Sequence, residues 1–416
     1  MTRNGAIPDQ HAARPAVEAA TMPPEPAPHT PDCAAKPPHL AKILVLVTED
    51  WFALSHFQPL LRTLQTLARE IVVVTRSSGR MGELEALGCR TIDLAYNRSS
   101  MNPAREIATV RRLRAIIAVE QPDVVHMIAM KPIVLGGIAV LMSRVPHAVV
   151  HMTGLGFLAI SETAKARAAR RVALAIIRRV VARPQGWLLV ENPEDLAFLR
   201  DGGVAPGQRA SLLGGAGIDP QAFPAWPDPG NAPPVAAFVA RMIRSKGVAV
   251  LMEAAEILGR RGVPLTVALY GDTDEGNPEA IPRADIEAWS DGVGRRYMGF
   301  TRDVAAVWRT SDIFVLPAIS REGMPRALLE AAACGRAVVV SDVPGCRHFV
   351  AHGVNGLIVP PGDADALADA LEGLARDPAL RTRLGQAARA RVLSGYTEAA
   401  LARAVVTAYG AMTGPA

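Results

Sequence analysis

The sequence predicts an α/β protein made of two halves, each built around a doubly wound parallel sheet. Two observations predict this fold. Short apolar segments of strand length alternate with longer segments of helical period. The alternation stops at a Pro-rich stretch, residues 223–234, and then starts again. Ligands of such sheets bind at the carboxyl ends of the strands, so we expect a binding cleft between the halves.

The first half covers residues 42–222. Its apolar runs are bounded by polar residues, as expected for central strands of a parallel sheet. The predicted strands are 42–48, 71–75, 123–126, 148–151 and 187–190, and the predicted helices are 58–70, 102–120, 134–144 and 164–183.

The second half covers residues 235–395 and repeats the pattern without a short sequence repeat. Its predicted strands are 235–240, 265–270, 312–316 and 337–341, and its predicted helices are 247–260, 325–333 and 363–375. Residues 396–416 contain a closing helix, 398–409, which we expect to cross back to the first half. Residues 1–41 are rich in Pro and Ala with few large apolar side chains, which predicts a disordered extension.

Composition excludes several classes of protein. The net charge of +5 over 416 residues is too small to indicate a nucleic-acid partner. Four widely separated cysteines fit reduced thiols better than a zinc site or a disulfide framework. The N-terminus lacks a signal-peptide core, and the longest apolar run is too short to span a bilayer. We therefore expect a soluble or peripherally membrane-bound protein.

The most informative segment contains two glutamates, Glu322 and Glu330, separated by seven residues. Glu322 lies in the loop before a predicted helix, Pro325 suits an early helical position, and Glu330 follows on the helix. The free amides and the dipole at such a helix start form an anion site, and nearby carboxylates can accept hydrogen bonds from sugar hydroxyls. The alternative is that both glutamates are solvated surface charges.

With its surroundings, this segment resembles a known family. Residues 320–330 (SREGMPRALLE) resemble the Glu-x(7)-Glu signature of the family 4, retaining nucleotide-sugar glycosyltransferases of GT-B fold, and residues 238–247, 312–317, 334–347 and 355–361 agree with it. In the first half, residues 51–56, 131–132 and 153–157 resemble a subgroup that builds capsule, O-antigen and related glycans on undecaprenyl-diphosphate lipids. The resemblance covers about residues 42–410.

The resemblance implies roles for individual residues. Arg241 and Lys246 would grip the donor diphosphate, although without the glutamate pair they would be taken for strand-end surface charges. Glu322 would contact hydroxyls of the donor sugar, and Glu330 would bind the ribose. The rest of the donor site would be Gly323, Met324, Pro325 and Arg326. Retention would proceed by front-face attack without a protein nucleophile. No metal or other cofactor is expected, because no cluster of His, Asp and Glu with metal-ligand spacing is evident in the sequence.

The first half offers weaker candidates for the cleft and the acceptor. The loop after the first strand, residues 48–56, has no glycine, as in the subgroup, and His56 is a cleft candidate. Many relatives have a histidine two residues after the position of His126, where this sequence has Ile128. Its role could pass to His126, Lys131 or His151, or be absent. The structural interpretation, which is favoured for His126 and His151, makes these two core histidines, and His56 would be a helix-terminal histidine bonded to the backbone. The cleft candidates are His56, His126, Lys131, His151, Thr153 and Gly154.

A basic segment, residues 165–183, contains seven Lys and Arg residues and no acidic residue. On a helix, Arg167, Arg171 and Arg178 form one stripe, with Val172, Ile176 and Val180 roughly opposite, while Leu174 and Val181 interrupt the basic face. One interpretation is a solvated basic helix. The other is docking on an anionic membrane that presents the acceptor lipid, with contacts from Arg167, Arg170, Arg171, Arg178 and Arg179.

Together these features predict a bacterial, retaining, metal-independent glycosyltransferase that transfers a hexose or N-acetylhexosamine. The donor would be a nucleotide-diphosphate sugar, in particular a UDP-sugar. The acceptor would be an undecaprenyl-diphosphate-linked sugar at the cytoplasmic face of the plasma membrane. The alternatives are a non-hydrolysing UDP-sugar epimerase of the same architecture and a non-catalytic nucleotide-sugar-binding module.

Overall fold

A computed structural model describes residues 39–94, 102–155, 164–204, 209–274 and 276–414. Nearly all of the predicted N-terminal extension, 1–41, lies outside these residues. So do residues 156 and 157 of the segment that resembles the lipid-linked glycan subgroup.

The first domain contains a seven-stranded sheet in which all paired strands are parallel. The strand order is β3-β2-β1-β4-β5-β6-β7, so the order reverses direction between β1 and β4. The strands are β1 Leu40–Glu49, β2 Ala68–Arg76, β3 Arg90–Asp93, β4 Val124–Ile128, β5 His147–Met152, β6 Gly186–Val190 and β7 Ala210–Leu212.

The second domain contains a six-stranded parallel sheet of the same design. Its order is β10-β9-β8-β11-β12-β13, and the reversal lies between β8 and β11. The strands are β8 Val235–Val239, β9 Thr266–Tyr270, β10 Arg295–Gly299, β11 Ile313–Leu316, β12 Ala337–Ser341 and β13 Leu357–Val359. The predicted α/β fold with two doubly wound sheets is therefore confirmed.

Helices cover both faces of each sheet, which buries the apolar strands on both sides. In the first domain the helices are α1 Asp50–His56, α2 Gln58–Gln65, α3 Met81–Ala86, α4 Pro103–Glu120, α5 Met130–Leu141, α6 Ala164–Val181 and α7 Pro193–Asp201. The later helices are α8 Val248–Arg260, α9 Arg283–Ala288, α10 Val304–Thr310, α11 Arg326–Ala333, α12 Pro344–Phe349, α13 Ala364–Arg376, α14 Pro378–Gly395 and α15 Glu398–Thr413.

The structure corrects the sequence prediction of secondary structure at several places. The helix predicted over 58–70 ends at Gln65, and Glu70 lies in β2, where it pairs in register with Lys42 of β1. The apolar run that begins at Ile71 is buried as a strand beside β1, and this tertiary pairing prevails over the helical period. Helix α14 was not predicted, because its Ala- and Arg-rich sequence has no clear apolar stripe.

The closing helix α15 packs on the first domain. Its apolar side chains, among them Leu401, Val405 and Tyr409, join the core beneath β1 with Ile43 and Val45. The Pro-rich segment 223–234 connects the two sheets. Buried Arg336 of the second domain donates to the Trp226 and Pro227 carbonyls, which fixes the path of this segment.

Candidate active site

An ion pair joins two loops at the reversal point of the second sheet. The Lys246 Nζ lies 2.8 Å from each carboxylate oxygen of Glu322. Lys246 follows β8 and Glu322 follows β11, and these strands are neighbours, so both loops emerge at the same edge of the sheet. Gly247 permits the close approach, because a Cβ there would collide with the Pro317 carbonyl oxygen. Two residues 76 positions apart in sequence are thereby brought into contact.

Arg241 lies in the same loop after β8. Its Nη1 donates to Asp274 Oδ2 at 2.6 Å, and its side chain is 40% exposed. The pair fixes the guanidinium at the edge of the second sheet. A guanidinium held in this way has remaining donors that can bind phosphate oxygens.

Glu330 lies on the buried side of α11 and is 5% exposed. Its Oε1 accepts from Arg326 Nε at 2.6 Å, and the Arg326 Nη1 donates to the Ser55 carbonyl of the first domain at 2.5 Å. Burial raises the pKa of Glu330, although the Arg326 charge opposes this shift. Glu330 and Arg326 therefore connect the second domain to α1 of the first.

The loop between Glu322 and α11 is enclosed by the first domain. The carbonyl of Gly323 accepts from Asn192 Nδ2 at 3.1 Å, and the N–H of Met324 donates to Glu191 Oε2 at 3.0 Å. A Cβ on Gly323 would collide with the Thr153 carbonyl oxygen, so only glycine fits at this position. Residues 322–324, called the donor loop below, are therefore held from both domains.

The donor-loop geometry constrains one residue of the expected donor site and places others. Met324 was expected to belong to the donor site, and its N–H donates to Glu191. Helix α11 begins at Arg326, with Pro325 at the position before its first residue. Thr153 lies against Gly323, and Gly154, whose φ is +137°, contacts the Gly323 backbone. These two residues therefore lie at the junction of the domains.

Glu191 was missed by the sequence analysis. It directly follows β6, and Asn192 caps the N-terminus of α7 by accepting from the Asp195 amide at 2.8 Å. Burial raises the pKa of the Glu191 carboxyl to about 8, and the negative charges of Asp195 and Glu322 reinforce the shift. An acidic residue at the carboxyl end of a buried strand, followed by the Asn-Pro helix start, was the available signal.

His56 lies at the end of α1, close to the second domain. Desolvation lowers its pKa to about 3, and the positive charges of Arg326, Arg241 and Lys246 add to the effect. The Ser55 Oγ lies 2.7 Å from the His56 Nδ1. His56 is therefore a neutral hydrogen-bonding group beside the cations of the second domain.

His126 and His151 lie in the core of the first domain, as the structural interpretation of these two histidines expected, and not at an open cleft surface. His126 is fully buried, with its Nδ1 2.7 Å from the Tyr409 hydroxyl and its Nε2 3.2 Å from the His151 Nδ1. His151 is 2% exposed and packs edge-on against Phe57. Burial lowers the pKa of both imidazoles, that of His151 to about 3.

Lys131, the remaining cleft candidate, is the second residue of α5 and forms an ion pair with Glu106 of α4. Its Nζ lies 2.9 Å from the Glu106 Oε1, and both side chains are mostly buried. This pair joins α4 to α5. Lys131 is thus engaged in the packing of the first domain.

Helix α6 presents a basic outer face. Some of its apolar residues lie on the face opposite to the one that the sequence predicted. Val172 was expected on the apolar side but is 59% exposed, because the buried face of the helix begins only at the next residue. Leu174 and Val181 were expected to interrupt the basic face, but both pack into the core. Arg167, Arg171, Arg178 and Arg179 are exposed and Arg170 is half-buried. Arg178 donates to the Gly202 carbonyl at 2.6 Å.

None of the helices within the described ranges is long and apolar enough to cross a membrane. In the same part of the chain, no three His, Cys, Asp or Glu side chains are grouped so as to hold a metal ion.

Two family models match the chain, one in each domain. The model of the glycosyl transferases group 1 matches residues 233–377, and the glycosyl transferase 4-like model matches residues 42–183. Together they cover more than half of the sequence.

Curated relatives agree with these models. An N,N'-diacetylbacillosaminyl-diphospho-undecaprenol alpha-1,3-N-acetylgalactosaminyltransferase from Campylobacter jejuni is 26% identical over 367 residues, which span 85% of this chain and 94% of that protein. The amylovoran biosynthesis glycosyltransferase AmsK of Erwinia amylovora is 34% identical over 167 residues. That match spans 38% of this chain and 40% of AmsK.

Solved structures share the fold. HepE of Anabaena, in complex with UDP and glucose, superposes with a TM-score of 0.71 at 18% identity, covering 88% of this chain and 98% of that one. Sucrose-phosphate synthase of Thermosynechococcus elongatus gives 0.71 at 21% identity, covering 87% and 96%. The sequence resemblance and the GT-B architecture are thus confirmed, and the chain belongs to the group 1, family 4-type glycosyltransferases.

Proposed function

We propose that this glycosyltransferase moves a hexose or N-acetylhexosamine from a UDP-sugar to an undecaprenyl-diphosphate-linked sugar, with retention of anomeric configuration and without a metal ion. The observation that carries the proposal is the pairing of Lys246 with Glu322, the first residue of the donor loop, at the edge of the second sheet. Arg241 lies in the same loop as Lys246, and Glu330 lies one helix away. This is the set of groups that a nucleoside diphosphate sugar needs.

The charges in this region suit a sugar-nucleotide donor. Lys246 and Arg241 would bind the diphosphate and stabilise the negative charge that develops on the leaving nucleotide. Glu322 would accept hydrogen bonds from hydroxyls of the donor sugar, and Glu330 from those of the ribose. With two cations available, neutralising the leaving group would not require a divalent ion.

Retention would follow from attack on the face that the nucleotide leaves. The bond between the anomeric carbon and the diphosphate oxygen breaks, the acceptor hydroxyl oxygen bonds to the same face, and its proton passes to the departing diphosphate. This route needs no protein nucleophile. It requires only that the cations hold the diphosphate in place, which Arg241 and Lys246 of the loop after β8 would do.

The acceptor proposal rests on two supports. The Campylobacter jejuni relative, whose name describes transfer to a diphospho-undecaprenol-linked sugar, matches nearly its full length. In addition, α6 exposes Arg171, Val172 and Arg179 together, which combines positive charge with an apolar side chain. In the same layer, Ile107 of α4 and Met142, which directly follows α5, are also exposed. Such a surface suits an anionic membrane at the cytoplasmic face.

A donor panel tests the reaction. The purified protein is incubated in EDTA with UDP-, GDP- and dTDP-sugars and a polyprenyl-diphosphate-linked sugar. We expect transfer from a UDP-sugar and, by the anomeric proton coupling in NMR, the same configuration in product and donor. An inverted product would refute retention, and activity that depends on an added divalent metal would refute metal independence.

The same assay without acceptor separates the alternatives. A UDP-sugar epimerase would convert the donor with no acceptor present. A non-catalytic module would bind the donor and leave it unchanged in the presence of any acceptor.

Flotation with vesicles tests the membrane proposal. Replacing Arg171 and Arg179 by Gln should lower recovery with phosphatidylglycerol vesicles, because each basic residue near an anionic surface contributes about 1 kcal/mol. The matched control replaces the exposed Arg260 and Arg309 of the second domain. Equal recovery of both variants would contradict a membrane role of α6.

A further inference from the structure

A single peptide group of the donor loop is held at both of its polar atoms by the first domain. The Gly323 carbonyl and the Met324 N–H belong to the same peptide bond. Asn192 donates to the carbonyl at 3.1 Å and Glu191 accepts from the N–H at 3.0 Å. The preceding peptide joins Glu322 to Gly323, so the clamp restrains the backbone that carries the Glu322 side chain.

Asn192 is itself held in position. Its Oδ1 accepts from the Asp195 amide at 2.8 Å, and its Nδ2 also donates to Asp195 Oδ2 at 3.0 Å. Both Glu191 and Asn192 are buried. The clamp is therefore a rigid feature of the start of α7.

The charges around Glu191 are predominantly negative. Asp195 of α7 and Glu322 of the donor loop face it, and each has its own cation, Arg321 at 2.8 Å and Lys246 at 2.8 Å. Glu194, also on α7, pairs with Arg347 of α12 at 3.3 Å. Within the described ranges, no Lys, Arg or His forms an ion pair with Glu191 itself.

We propose that Glu191, in its protonated form, is a positioning residue that orients the donor loop for the transfer reaction. The inference deepens the proposed function and rests on it. A neutral carboxyl accepts from the Met324 N–H without placing a third negative charge beside Asp195 and Glu322. Burial, which raises the pKa of Glu191 to about 8, keeps it neutral at pH 7.

Ionisation of Glu191 has a defined consequence. Above pH 8 its carboxylate repels Glu322 and the diphosphate of the donor, since Glu322 belongs to the donor loop that Glu191 holds. Donor binding therefore weakens as the pH rises. The transfer step should show this as an increase in KM for the donor, because the reacting groups themselves are unchanged.

The test compares the wild type with Glu191→Gln and Glu191→Ala between pH 6.5 and 9.5. The Gln amide oxygen still accepts from the Met324 N–H and does not ionise. We expect Glu191→Gln to transfer within threefold of the wild type at pH 7. It should also lack the tenfold loss of kcat/KM for the donor that we expect of the wild type between pH 7 and 9. Glu191→Ala should lose at least tenfold in kcat/KM at every pH.

Controls separate positioning from folding and from the proposed function. Glu194→Gln, on the same helix, should keep the wild-type pH profile. The affinity for UDP alone, measured by calorimetry at pH 7 and 9, should fall with pH in the wild type and not in Glu191→Gln. This readout tests the inference even where no transfer is detected. The proposal would be overturned if Glu191→Gln lost as much kcat/KM at alkaline pH as the wild type. It would also be overturned if Glu191→Gln were as slow at pH 7 as Glu191→Ala.

Discussion

Lys246 and Glu322 form an ion pair in which the ammonium contacts both carboxylate oxygens at 2.8 Å, across the reversal point of the second sheet. Both side chains are mostly buried, so water screens the pair weakly. In the proposed function, a donor diphosphate that enters here would meet an ammonium already fixed in place. The pair would thus link the backbone topology to donor binding.

This pair predicts a large catalytic effect. Lys246→Met and Glu322→Gln should each lower kcat by about 100-fold or more, since removal of one preorganised charged group typically costs that much. The two effects should be less than additive, because each residue orients the other. Transfer assays on the single and double variants measure this. Arg295→Gln, which breaks an exposed ion pair with Asp291, is the control and should retain full activity.

Glu330 offers a second, separable prediction. Glu330→Gln keeps the shape of the side chain but weakens its bond to Arg326 and, in the proposed function, its bond to a ribose hydroxyl. KM for the nucleotide sugar should rise about tenfold, corresponding to roughly 1.4 kcal/mol of binding, while kcat changes little. Steady-state kinetics with varied donor provide the measurement. The exposed Glu253 of α8 supplies the control, and equal effects of the two substitutions would contradict a donor role.

Gly323 should tolerate no side chain. In Gly323→Ala the new Cβ meets the Thr153 carbonyl and lies 2.7 Å from Glu191 Oε2, so the donor loop must move away from the first domain. Overpacking of this kind costs about 1–3 kcal/mol, and transfer should fall more than tenfold. Thermal unfolding and transfer rates test both effects. Gly373→Ala, in a helix with nothing within 4 Å of its Cβ, should be neutral or slightly stabilising.

The buried histidine pair predicts acid sensitivity. The pKa of His151 falls from 6.5 to about 3 on folding, so the folded protein keeps it neutral while the unfolded chain binds a proton below pH 6.5. Stability is therefore lost as the pH falls. Between pH 7 and 5 this residue alone should lower the free energy of unfolding by about 2 kcal/mol.

Urea unfolding at the two pH values tests the role of His151. The variant His151→Gln cannot titrate and should lose that part of the pH dependence. The same substitution at the exposed His352 is the control. If His151→Gln keeps the whole wild-type pH dependence, burial of neutral His151 is not its source.

Much of the fold could be predicted because its signal is local. The central strands are apolar runs bounded by polar residues, and Asn102 and Asp363 mark helix starts by capping them. Short edge strands such as Arg90–Asp93 were missed, since a half-exposed strand of four residues has no distinctive pattern. The end of α2 was misplaced because pairing of β2 with β1 decides it, and that pairing is not local.

The candidate site divides in the same way. The spacing of Glu322 and Glu330 is contained in one loop and one helix, so the sequence alone determined both the pair and the family. It could not determine that the Tyr409 hydroxyl hydrogen-bonds to His126, 283 residues away in sequence. Nor could it determine that Glu191 accepts from the Met324 amide, 133 residues away. Such contacts depend on which strands are neighbours and on how the two domains meet. Only the tertiary structure decides these, because burial and long-range hydrogen bonds are properties of the folded chain.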